Sequence, residues 1–227
     1  MQTPDTEPSP PAGFFQRILH RLRTLRLGRR LDPIRDAYGL EHFLKTRSSY
    51  VSQMTLYGYL RTRAGTRFIE LFDDDRFVES TNIAKWHVWL ACLSDLSVYA
   101  GGMLRRNAGR ADAPVGPLMC GLVEAILAET GTPADAGPEF AAHAGRVHAR
   151  LALCDWNAQV DGEFSFSESP SALIYWAPVV DDLKQHDEEI VRNSIRFRWQ
   201  EVRQDLRKAL DAPSVLAIET TEGTRTG

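Results

Sequence analysis

Apolar side chains recur every three or four residues along most of this chain, and apolar–polar alternation at every second residue is nearly absent. That period belongs to helices packed through one face. Phe15, Ile18, Leu19, Leu22 and Leu25 form such a stripe and predict a first helix over about 13–31. Asp32-Pro33 supplies a capping side chain followed by a proline suited to the first helical position, so a second helix is predicted from there to about Arg63, ending at Ala64-Gly65. "RFIELF" reads as a short amphipathic turn ahead of the acidic run Asp73 to Asp75. Thr81 or Asn82 is placed to cap the next helix, which is expected to stop near Gly101-Gly102. Pro114 and Pro117 open another, Gly137-Pro138 a further one, and Ser169-Pro170 the next, with Pro178 kinking or restarting it. The final helix is the most legible: Val191, Ile195, Val202, Leu206 and Leu210 make its stripe, and Glu188 and Arg192 at i, i+4 support its wet face. Only "SVLAIET", from Ser214, reads as a strand.

The pattern therefore predicts an all-α fold: a single helical-bundle-like domain of about six to eight helices with a basic amphipathic N-terminal helix. Its expected divisions are a disordered tail over 1–12, which holds four prolines and two acids, the basic helix over 13–31, the helical domain over 32–212, and a flexible tail over 213–227.

Trp86 to Leu104 is nearly long enough to cross a bilayer. It carries His87, Ser94, Asp95 and Ser97, and an aspartate at mid-membrane costs about 2.5–3.5 kcal/mol on insertion scales. The expectation is a buried core helix, in which Asp95 needs an arginine or a helix N-terminus as its partner.

Composition adds that this is an ordinary globular chain, 43% hydrophobic and 25% charged. Cys92, Cys120 and Cys154 are odd in number, far apart and set among apolar neighbours, which points to free thiols in a reducing, cytoplasmic compartment. Charge changes the picture more. The net charge is −3, yet residues 13–31 carry six arginines and no acid, so this +6 leaves −9 on everything else. A rod that is greasy on one side and cationic on the other suits an anionic lipid surface. The predicted membrane-binding residues are Phe14, Phe15, Arg17, Ile18, Arg21, Leu22, Arg23, Arg26, Arg29 and Arg30. Nucleic acid is not expected as a partner, because no recognition motif accompanies the arginines and the remainder is acidic. The stretch lacks the continuous apolar core of a secretory signal.

Catalytic signatures are sparse. No G-x-S-x-G elbow, Gly-rich phosphate loop or Glu-x-x-His pair occurs, and no metal or cofactor is expected. Glu139 with His143, and Asp182 with His186, share helix faces at i, i+4 spacing and could in principle face one another. A serine from the 165–171 loop acting with His186 would give a small ester hydrolase, the alternative to a non-enzymatic role. Two segments suit a protein partner: the aromatic corner Tyr175-Trp176 before Pro178, and Arg192, Arg196, Arg198 and Trp199 on the polar side of the last helix.

Together, "SSYVSQMTLYGYLRTRAGTRF", "NIAKWHVWLACLSDL", "GTPADAGPEF" and "SESPSALIYWAP" with "DEEIVRNSIRFRWQEVR" resemble an uncharacterised bacterial helical family, some members of which are labelled "esterase". The resemblance covers about residues 33–211 and implies no particular site residues. A fainter likeness, in the Arg-rich leading helix and "YVSQ" at Tyr50 to Gln53, is to the ubiquinol–cytochrome c reductase assembly chaperones. It implies a helical assembly factor for a membrane protein. The functional expectation is a membrane-surface scaffold of this kind, peripheral on the inner face of the membrane.

Overall fold

The computed structural model describes residues 32–110 and 112–223. Among them are seven α-helices and no strand: α1 Ala37–Ala64, α2 Asp75–Asn107, α3 Val115–Thr130, α4 Phe140–Ala152, α5 Glu168–Trp176, α6 Asp181–Ala209 and α7 Ala212–Gly223. The all-α expectation holds. The predicted helix over 13–31 and the tail over 1–12 lie outside the described residues.

α2 is the axis of the fold. α1, α3, α4, α5 and α7 all pack against it, and every residue from His87 to Leu104 is buried. A helix apolar on nearly all sides is thus accounted for by neighbours rather than lipid. No described helix is long and apolar enough to cross a membrane. α2 is longer than its sequence reading at both ends. It begins at Asp75, because the Asp74 carboxylate accepts the Arg76 N–H at 2.9 Å and an acid in the first turn suits the helix dipole.

It also runs straight through Gly101-Gly102. These glycines do not end the helix but flatten it. A Cβ on Gly101 would stand 2.1 Å from Cζ3 of Trp156, and one on Gly102 would stand 2.6 Å from Cβ of Gln159. A Cβ on Gly116 of α3 would stand 3.0 Å from Nε1 of the same indole. Trp156 therefore wedges between the bare backbones of two helices, and the 153–167 loop lies directly on α2.

Asp161 ties that loop to α6. Arg207 grips its carboxylate with two nitrogens at 2.7 and 2.8 Å, and Tyr99 Oη donates to it at 2.8 Å. The Arg207 guanidinium holds the Asp161 carboxyl well below the usual carboxylate range, with Tyr99 and Arg203 acting in the same direction.

The ends of the body meet. The Asp32-Pro33 start is displaced: residues 32–36 are not helical, and Asp36 caps α1 by accepting the Gly39 N–H at 2.7 Å. Ile34 N–H donates to the Ala209 carbonyl at 2.8 Å, and Asp211 N–H donates to the Ile34 carbonyl at 2.9 Å. After this bridge the chain turns into α7. "SVLAIET" is helical, not a strand, and the start of the segment read as a flexible tail packs into the core through Val215 and Leu216, one turn beyond buried Ala212. Its β-branched residues favour a strand locally, but two buried side chains one turn from Ala212 reward the helical period instead.

Candidate functional site

Three neighbouring assemblies concentrate the polar and aromatic chemistry of the described residues, and α5 links them. The first is a buried ionic centre at its N-terminus. Asp95 is fully buried. One carboxylate oxygen accepts Arg150 Nη1 at 2.7 Å and the Glu168 N–H at 3.1 Å, and the other accepts the Ser169 N–H at 2.8 Å. Both partner types expected from the sequence are present, an arginine and a helix N-terminus. Arg150 also donates to Ser94 Oγ and to the Ser165 carbonyl, each at 2.9 Å, and lies 3.1 Å from Glu168. Burial raises the Asp95 carboxyl above its ordinary value, while Arg150 and the Ser169 donors pull against that rise. Ser169 does not cap α5, as its sequence position suggests; Asp95, contributed by α2, does. Ser169 Oγ instead accepts Trp199 Nε1 at 3.0 Å.

That bond corrects one expected surface residue. Trp199 is 1% exposed and stacks on Phe166 with ring centroids 4.6 Å apart. It continues the inward row Val191, Ile195, Trp199, Val202 and Leu206, so it belongs to the core and not to a partner-binding face. Arg192 pairs with Glu188 at 2.8 Å, and Arg198 lies 3.3 Å from Glu201; Arg196 is exposed.

The second assembly sits at the other end of α5. His87 of α2 and His143 of α4 face each other through their Nδ1 atoms at 2.5 Å. The His87 ring lies flat on Trp176, centroids 3.8 Å apart and planes 8° from parallel, with His143 edge-on to the same indole at 5.4 Å. One Nδ1 must carry the hydrogen and the other accept it, so two imidazolium rings cannot keep this contact. Burial lowers the His87 pKa below its ordinary value; the Ala136 carbonyl acts against that and Arg146 adds to it. Glu139 lies 3.8 Å from His143 Nε2.

The third is the aromatic corner. Tyr175, Trp176, Pro178 and Val180 line an open, mainly apolar cleft of about 490 Å³ with Ile83 and Lys184. Tyr175 is 71% exposed and Val180 65%, whereas Trp176 is half-buried on the histidines. Lys184 Nζ donates to the Tyr175 carbonyl at 3.0 Å and so holds the corner closed onto α6.

The histidine pair was not singled out from the sequence. His87 and His143 are 56 residues apart, and only the i, i+4 spacing of Glu139 with His143 marked the second ring. Other expected combinations are not assembled. His186 hydrogen-bonds the Asp182 carbonyl of its own helix at 2.6 Å, about 20 Å along α6 from Trp199 and the start of α5. Ser167, at that start, is held by Arg150 at 3.4 Å. Ser167 and His186 are thus set apart, while Ser171, a turn further along α5, is held by Arg192 of α6 at 3.4 Å. Among the described residues no three His, Cys, Asp or Glu side chains are arranged to hold a metal ion. The predicted membrane-binding residues Phe14 to Arg30 lie outside the described residues. Comparison with family models, curated proteins and solved structures finds no match.

Proposed function

We propose that the protein is a non-enzymatic helical scaffold, or assembly factor, that rests on an anionic membrane surface and presents its α5–α6 corner to a membrane-protein partner. The observation that carries the partner half is the exposed corner itself. Tyr175 and Val180 stand out of the fold beside an apolar cleft, while the nearby buried charges are occupied in holding helices together. A large apolar ledge beside fixed polar ties suits recognition of another protein. The membrane half rests on the charge pattern of residues 14–30, six arginines along an aliphatic stripe with no acid. Each basic side chain near an anionic surface contributes about 1 kcal/mol, enough together for reversible attachment.

Vesicle flotation tests this. The full chain is expected to float with vesicles containing anionic lipid and to stay behind with neutral ones, and deleting residues 1–31 should abolish flotation. If the deletion leaves flotation unchanged, or neutral vesicles serve equally well, the membrane assignment is wrong. For the partner half, affinity purification from detergent-solubilised membranes should recover a membrane protein with the full chain but not with Tyr175→Ala; equal recovery by both would overturn it.

A further inference from the structure

The outer face of α6 carries a second apolar feature, separate from the corner. Leu183, Ile190 and Phe197 are 40%, 70% and 57% exposed. Their seven-residue spacing places them on one line of the helix, turned away from the buried row of Val191, Ile195 and Trp199. Each is immediately preceded by a charged residue: Asp182, Glu189 and Arg196. Charge is also segregated along the helix. Of the exposed charges on α6, four acids (Asp181, Asp182, Glu188 and Glu189) stand ahead of Ile190, and three cations (Arg196, Arg207 and Lys208) with no acid stand beyond it.

We infer that this stripe is where two copies of the chain pair, α6 against α6, antiparallel about a two-fold axis beside Ile190. Self-complementarity singles out a second copy as the occupant. Reversing the helix direction lays the acidic half of one copy on the basic half of the other, whereas parallel pairing would set like charges together. With Ile190 against Ile190, the equal spacing brings Leu183 onto Phe197 of the second copy, twice over. On the flank of the stripe, Asp182 meets Arg196 of the second copy, again twice, and Glu189 meets its own equivalent once near the axis. Two attractive pairs against one repulsive pair fix direction and register more than they add affinity. The stripe spans about 21 Å of helix. Three apolar side chains over that length bury less than the roughly 800 Å² per partner of a standard stable interface, so the pairing is a concentration-dependent equilibrium and not a permanent dimer. Nothing in this depends on membrane binding.

Sedimentation equilibrium on the full chain, with circular dichroism confirming that each variant folds, should give a monomer–dimer equilibrium. Ile190→Glu, which sets two carboxylates on the axis, should weaken it at least about tenfold. Asp182→Arg and Arg196→Asp should each weaken it, and the two combined should restore it; Glu189→Gln should tighten it. Register is read by oxidative cross-linking, with the unsubstituted chain as control for its native cysteines. Ile190→Cys should link to itself, and Phe197→Cys should link to Leu183→Cys in a mixture but not to itself. A chain that stays monomeric at every concentration, a dimer indifferent to Ile190→Glu, or a Phe197→Cys chain that links to itself would each overturn the inference.

Discussion

Replacing Gly101 by alanine tests how the loop is seated on α2. In an exposed helix interior, glycine to alanine stabilises by about 0.8–1 kcal/mol, because alanine loses less backbone freedom on folding. Gly58 in α1 and Gly121 in α3 meet that condition, since a Cβ at either would have no neighbour within 4 Å. Gly101 does not: the new methyl would fall 2.1 Å from Cζ3 and 2.6 Å from Cε3 of Trp156. The indole cannot swing clear cheaply, because its other edge is already against Gly116. Overpacking of this kind costs about 1–3 kcal/mol, and a rigid ring held at both edges belongs at the upper end. Subtracting the helical gain leaves a net loss of about 2 kcal/mol, or a melting temperature lower by about 4–8 °C in a domain of this size. Thermal unfolding followed by circular dichroism should therefore separate the variants in sign: Gly58→Ala and Gly121→Ala raise Tm, and Gly101→Ala lowers it. In a Trp156→Ala background the Gly101→Ala change should turn stabilising, since the ring it collides with is gone. The reasoning fails if Gly101→Ala raises Tm in the otherwise unaltered protein, or lowers it equally without Trp156.

The ionic centre should behave as a unit. Asp95→Ala leaves the start of α5 without its acceptor and Arg150 without its buried partner, and should cost about 3–5 kcal/mol in urea unfolding, whereas the pair Asp95→Leu with Arg150→Met should cost less than the two single changes added together. Additive losses would mean the two residues act independently. The histidine pair gives a pH signature. Folding lowers the His87 pKa, so below its ordinary value of about 6.5 the unfolded chain binds more protons than the folded one. The stability His87 contributes is thus present above that pH and is lost as pH falls from there towards its folded value. Between about pH 7 and 5, Tm should fall more steeply for the unaltered chain than for His87→Phe; parallel profiles would rule out His87 as the source.

How far the chain could be read depended on whether a feature was local. The row Val191, Ile195, Val202 and Leu206, the stop at Gly65 and the breaks at Pro114 and Pro138 are set by neighbours a few residues away, and the structure has them where the periodicity places them. Asp95 was legible as a debt without a creditor: an acid deep in an apolar helix demands a partner, but Arg150 lies 55 residues away. Gly101-Gly102 was misread because a glycine pair that stops a helix and one that makes room for a tryptophan look alike until the tryptophan is located. Trp199 was legible and missed. It stands four residues after Ile195 and three before Val202, on the core row, but its flanking arginines drew it to the surface reading. The His87–His143–Trp176 stack, joining three helices, has no local signature at all.

The Ile34 bridge has a mechanical consequence. A pull on the chain ahead of Asp32 reaches this two-bond clasp before it reaches α1, and the clasp fastens onto the backbone at Ala209 and Asp211. Tension arriving along the leading segment is thereby shared at once between the first described helix and the far end of the sixth. Because both bonds join main-chain atoms, side-chain changes at Ile34 would loosen the fit of the clasp without removing it.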